Sequence, residues 1–138
     1  MTESIITEEM ESWLGKELNR VEFDVEKALL RRYTEAVDDP NPRWKEVMPP
    51  HMFTAIFTEG GLVEYPFETP PKLLDGGGEW EFFAEARLGD TLTGIRRFVE
   101  YKEKEGKLGR MLFVIRETEW TNQRSELVAR TKSTSILY

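Results

Sequence analysis

The chain has 138 residues, enough for one domain that buries about two-thirds of its unfolded surface, and its 39% apolar and 33% charged residues are the balance of a soluble globular protein rather than a disordered or membrane one. A net charge of −7 repels nucleic acid and anionic membrane surfaces, so neither is an expected partner. The absence of cysteine excludes disulfides and thiolate chemistry, and a single histidine among scattered carboxylates gives no basis for a metal site.

The opening residues, Met1 to Glu9, lack the basic start and apolar centre of a secretory signal, and no apolar run reaches membrane-spanning length. This predicts a cytoplasmic protein with one domain over residues 1–138. Thr7 is placed to cap a short helix running to Leu14, with Met10, Trp13 and Leu14 on one side and Gly15 ending it. Glu17 to Phe23 reads as a short strand. Asp24 is expected to cap a second helix in which Val25, Leu29, Tyr33, Ala36 and Val37 recur at helical spacing, with Glu26, Lys27, Arg31, Arg32 and Glu35 in water. Asp38-Asp39-Pro40 stops it, because the residue before a proline avoids the helical region.

Pro49-Pro50-His51 introduces a third helix, Met52 to Leu62, with Phe53, Ile56 and Phe57 as its apolar positions and Gly60-Gly61 near its end. Val63 to Gly78 is rich in proline and glycine and reads as a long loop, of a length that usually signals function. Strands follow at Glu79–Ala86, Thr91–Lys102, Leu108–Thr121 and Glu126–Tyr138, with turns at Gly89-Asp90, Glu105-Gly106-Lys107 and Asn122-Gln123-Arg124-Ser125. In the third of these, Leu112, Val114, Thr118 and Trp120 face away from Met111, Phe113 and Ile115. Helices first and antiparallel strands afterwards imply an α+β sheet with a helix across one face.

Several motifs resolve to bland readings. Gly76-Gly77-Gly78 is followed by a strand and by no Gly-Lys-Ser/Thr, so it reads as a turn rather than a phosphate cradle. Ser12, Ser125, Ser133 and Ser135 sit in no nucleophile elbow. The acidic clusters Glu8-Glu9 and Glu100 to Glu105 read as solvated faces. Asp39-Pro40-Asn41-Pro42 is good turn chemistry by itself. On that reading Asp39 ends the helix, Asn41 holds the loop through backbone hydrogen bonds, Trp44 packs, and His51 caps the following helix.

Asp39-Pro40-Asn41-Pro42-Arg43-Trp44 also resembles the Asp-x-Asn-Pro-x-His signature of MaoC-like (R)-specific enoyl-thioester hydratases and dehydratases. Further segments run in the same order: Leu74-Asp75-Gly76-Gly77, Glu79-Trp80-Glu81-Phe82, Leu88-Gly89-Asp90-Thr91-Leu92, Met111-Leu112-Phe113-Val114, Thr121-Asn122-Gln123 and Leu127-Val128-Ala129. Together they are similar to the N-terminal half of two-hot-dog MaoC dehydratases and to the non-catalytic subunits of mycobacterial-type 3-hydroxyacyl-ACP dehydratases, over nearly the whole chain from Val21. The resemblance implies a hot dog fold, an antiparallel sheet wrapped around a central helix, and a complete enzyme built from two of them. The implied reaction is reversible addition of water to an enoyl thioester of CoA or acyl carrier protein, with no cofactor and no metal.

In that family the Asp and the His together move the proton. Asp39 is therefore the candidate catalytic residue, but Trp44 stands where the His belongs, and an indole N–H only donates. Such a side chain cannot act as general acid or base. The resemblance also assigns the thioester oxygen to a backbone N–H at the helix start, Pro50-His51-Met52, where Met52 replaces a frequent glycine. Asn41, His51 and Met52 are accordingly the candidate substrate-binding residues. The leading expectation is an accessory subunit that shapes the acyl pocket for a catalytic MaoC-like partner in fatty acid metabolism. Two alternatives stay open: a homodimer that binds an acyl thioester without turning it over, and a self-sufficient hydratase in which Asp39, His51 or Glu46 takes the missing role.

Overall fold

The computed structural model describes residues 4–56 and 65–138. One five-stranded antiparallel sheet organises them: β1 (Glu17–Asp24), β2 (Leu73–Phe82), β3 (Thr91–Gly106), β4 (Gly109–Thr121) and β5 (Leu127–Leu137), in the spatial order β1-β3-β4-β5-β2. The consecutive hairpins β3–β4–β5 form the centre, and the earlier strands β1 and β2 add to its two sides. The helices are α1 (Glu8–Ser12), α2 (Lys27–Ala36) and α3 (Phe53–Ile56), with 3₁₀ turns at Pro42–Lys45 and Pro50–Met52. None of the helices among the described residues is long and apolar enough to cross a membrane.

Period-two alternation decides which face of the sheet is buried. Leu92 and Phe98 on β3, and Leu112, Val114, Thr118 and Trp120 on β4, point into the interior, as the pattern of β4 predicts. Trp120 lies against β3 at Gly94, where an added Cβ would stand 2.7 Å from the indole ring. That close approach explains the glycine in the middle of a strand. The core has two parts. Phe23, Leu30, Met48, Phe53, Leu92 and Trp120 gather around the start of α3, while Met10, Phe67, Phe98, Leu112 and Leu137 fill the other end. The first part carries the candidate site.

Several local expectations are corrected by long-range pairing. Asp24 does not cap α2. It is the last residue of β1, paired with Thr91, and its carboxylate accepts from the Thr91 hydroxyl at 2.9 Å, so Glu26 takes the cap position without a side-chain bond. The buried side of α2 is Leu30, flanked by Leu29 and Tyr33, while Ala36 and Val37 stay exposed. Residues 73–78 are not loop but the first part of β2, because β5 pairs with them. The glycine run is a bulge in that strand: the register shifts between Asp75 and Gly78, and Gly77 has φ 95° with its N–H on Asp75 Oδ1 at 2.9 Å. The strand then ends at Phe82 and not at Ala86.

Glu103 is not merely solvated, since it accepts from Ser4 Oγ at 2.6 Å and from the Ile6 N–H at 2.8 Å. The expected helix from Met52 is met by Phe53–Ile56, whereas Phe57 to Leu62 with Gly60-Gly61, and Val63 and Glu64 of the expected loop, lie outside the described residues.

Candidate functional site

The chain leaves α2 through a tight reversal. Asp38 takes a left-handed φ of 54°, and the Asp39 N–H donates back to the Thr34 carbonyl at 2.9 Å. Pro40 and Pro42 restrict the next residues, and Asn41 Oδ1 accepts from the Arg43 N–H at 3.0 Å, capping the Pro42–Lys45 turn. Asn41 thus holds the loop, as turn chemistry predicts. Beyond the turn, the Leu88 N–H donates to the Glu46 carbonyl at 2.8 Å and the Met48 N–H to the Ala86 carbonyl at 2.7 Å. These bonds fasten residues 39–48 into an arch over the segment between β2 and β3.

The arch brings Trp44 back onto Asp39. The indole Nε1–H donates to Asp39 Oδ2 at 2.9 Å, and the Asn41 N–H donates to Oδ1 at 3.2 Å. From the start of α3, His51 places Nε2 3.3 Å from the same Oδ2, and its Nδ1 lies 2.8 Å from the Tyr33 hydroxyl. A carboxylate only accepts, so Nε2 carries the proton, and in the neutral ring Nδ1 accepts from the Tyr33 O–H. Tyr33 and Trp44 also flank the imidazole, with ring centroids 5.3 and 6.2 Å away.

These contacts set the charge of the site. The Trp44 hydrogen bond, followed by the Asn41 N–H, holds the Asp39 carboxyl below the usual aspartate range, and His51 adds to the effect. Burial pushes the Tyr33 hydroxyl up, which keeps it a donor at neutral pH. Asp39 is therefore a carboxylate fed by two side-chain donors of different kinds besides the Asn41 N–H. The indole proton does not exchange in any acid–base role, whereas the imidazole proton can.

His51 does not cap the helix it precedes. Pro49 holds the cap position without a side-chain bond, and the imidazole turns toward Asp39. The Met52 N–H donates to the Pro49 carbonyl at 2.9 Å, so this amide closes the 3₁₀ turn, and the Met52 side chain is buried in the core. Glu46 lines the cleft between α2 and the arch. Tyr33 escapes a sequence reading because its hydroxyl meets His51 across eighteen positions, and at helical spacing it counts only as an apolar residue. The ion pair of Arg43 with Glu85, which ties the arch to the end of β2, is equally silent in sequence.

The family model described as FAS1-like, dehydratase domain region, matches residues 12–131. The chain belongs to this family. As a member of the FAS1-like dehydratase domain family it shares the hot dog fold, an antiparallel sheet with helices against it, with the MaoC-like dehydratase from Rhodospirillum rubrum at a TM-score of 0.72. That match has 17% identity and covers 91% of this chain and 92% of that one. A chain of the ChsH1-ChsH2 complex from Mycobacterium tuberculosis is similar with a TM-score of 0.69 and 14% identity, covering 87% of this chain and 83% of that one. A chain of the C-terminally truncated HadBC (3R-hydroxyacyl-ACP dehydratase) complex, also from Mycobacterium tuberculosis, gives 0.63 and 16%, with 83% and 90% covered. No curated protein matches the chain. Within this FAS1-like dehydratase fold, the arch and the start of α3 converge on Asp39.

Proposed function

We propose that this chain is the accessory half of an enoyl-thioester hydratase or 3-hydroxyacyl-thioester dehydratase, shaping the acyl pocket beside a second hot dog subunit that carries the proton-transfer pair. The observation that carries the reading is the 2.9 Å hydrogen bond from Trp44 Nε1–H to Asp39 Oδ2. The carboxylate of the motif is occupied by a donor that cannot give up its proton, in the sequence position where a MaoC-like hydratase has its histidine. The substrate is an acyl thioester of CoA or acyl carrier protein. The surface supports a partner: β2 ends the sheet and exposes Leu73, Trp80, Phe82 and Phe83, which a paired subunit would cover. Likeness to a chain of the ChsH1-ChsH2 complex and to one of the HadBC (3R-hydroxyacyl-ACP dehydratase) complex supports pairing with a different subunit.

Two measurements test this. The chain should elute and scatter light as a dimer and co-purify with a chain bearing an intact Asp-x-Asn-Pro-x-His motif; a clean monomer at micromolar concentration with no such companion counts against it. Alone, it should hydrate crotonyl-CoA at least about a hundredfold more slowly than with its partner, the usual cost of a missing acid–base group.

The contact of Asp39 with His51 favours a second reading, a self-sufficient hydratase whose histidine comes from the start of α3. Robust turnover by the pure chain, abolished by Asp39→Asn and by His51→Ala, would establish that reading in place of the first.

A further inference from the structure

Two concavities meet at the arch. The larger, about 740 Å³, lies on the α2 side and includes Leu30, Arg31, Glu35, Pro42 and Leu88 in its lining. The smaller, about 290 Å³, lies on the sheet side and is walled by Val47, Met48, Phe53, Phe82 and Phe83. Among the described residues Trp44 is the one that lines both. Its indole is fixed on the arch by the hydrogen bond to Asp39 and stands edge-on to His51 at 88°. The turn that carries it is capped by Asn41 and begins with a proline, so the ring is a fixed partition rather than a swinging one.

We propose that Trp44 is the end wall of the acyl pocket and determines how long an acyl tail this chain admits. The proposal rests on the acyl-thioester reading given above. The chemistry of the smaller chamber selects its occupant. Among the described residues its only charged ones are Arg43 and Glu85, which neutralise each other, and the other described lining is apolar or aromatic apart from backbone. An uncharged hydrocarbon tail fits such walls, whereas the larger cleft presents Lys27, Arg31, Glu35 and Asp38. At about 30 Å³ for a water-sized group in a liquid, the open chamber of about 290 Å³ has room for no more than roughly ten carbons. Removing the indole would join this chamber to the larger cleft and lift the limit.

The test is calorimetric titration of the full-length chain with saturated straight-chain acyl-CoAs of four to sixteen carbons. The described residues that line the chamber belong to this chain, and a paired subunit would only cover its Phe82–Phe83 side, so the full-length chain in its solution oligomeric state should bind. For the unaltered protein, Kd should fall about fourfold per added methylene and level off at roughly ten carbons. Trp44→Ala should extend the fall to longer tails, binding the sixteen-carbon thioester at least tenfold more tightly than the unaltered protein while binding the four-carbon one equally. Trp44→Phe, which keeps a ring but loses the N–H, should retain the original limit. Should Trp44→Ala fail to give a folded circular dichroism spectrum, Trp44→Leu is read in its place. An unchanged limit in the folded small variant overturns the end-wall assignment and leaves the proposed function standing. No binding of any acyl-CoA by the unaltered chain likewise overturns the end-wall assignment, while the proposed function stands or falls on co-purification and turnover with a catalytic partner.

Discussion

Asp39 and Asp90 both stand at chain reversals, and both carboxyls lie below the usual aspartate range, but their surroundings are opposite. Asp90 is buried: Oδ2 accepts from the Arg87 N–H and Oδ1 from Gln123 Nε2–H, each at 2.9 Å, with Arg124 Nη1 3.6 Å away. Burial, the largest single influence there, pushes the pKa up, and the donors together more than reverse it. Asp90 thereby locks the turn before β3 onto the β4–β5 hairpin. Asp39 is partly exposed, lines the larger cleft, and counts an imidazole among its donors. A lowered carboxyl pKa is common to both, so it does not by itself mark chemistry. What sets Asp39 apart is access for a ligand and an imidazole N–H among its donors.

The sharpest way to break this contrast is Asp90→Ala. It leaves buried donors unanswered and should cost about 3 kcal/mol in urea unfolding; a loss under about 1 kcal/mol would make Asp90 no more structural than Asp39. Next comes Trp44→His, which restores the order of the hydratase signature. The indole is only half-buried, so the expected cost is about 2 kcal/mol, with no measurable hydration of crotonyl-CoA, because the Met52 amide remains committed to the Pro49 carbonyl. Turnover at an unchanged melting temperature would refute that expectation.

Smaller effects sharpen the contrast. Trp44→Phe removes the largest cause of the lowered Asp39 carboxyl, so the pKa of Asp39 should move up toward the ordinary value in a carboxyl-carbon NMR titration while that of Asp90 stays put. The sign of the pH dependence follows from the direction of both shifts. A carboxyl with a depressed folded pKa contributes stability above its unfolded pKa and loses it as pH falls through the folded value. Asp90→Asn should flatten the acid limb of the stability profile, and Asp39→Asn should flatten it much less. Equal flattening by the two would erase the distinction between a sealed anchor and an open site.

How far the site was legible in sequence follows the range of each interaction. Asp39, Asn41 and Trp44 lie within one short turn, so turn chemistry and motif order sufficed to single them out, and Asn41 holds the loop as read. The bond from Trp44 to Asp39 spans five positions yet needed the arch to be folded before the indole could turn back. Tyr33 was beyond reach, and His51, named as a substrate-binding candidate and as one stand-in for the missing base, could not be placed on Asp39, since each meets its partner only after α2 and the start of α3 are docked on the same core.

By itself the sequence determined the alternation that buries Leu112, Val114, Thr118 and Trp120, the order of helices and hairpins, and the loss of a basic side chain at position 44. These are properties of local periodicity and of residue chemistry, which need no tertiary contact. Only the tertiary structure decided that Leu73 to Gly78 form a strand with a bulge, that Asp24 ends a strand instead of starting a helix, and that His51 faces Asp39. Each of these outcomes rests on a partner far away in the chain, β5, β3 or the arch, and the free energy of that pairing overrides what glycine or aspartate prefers locally.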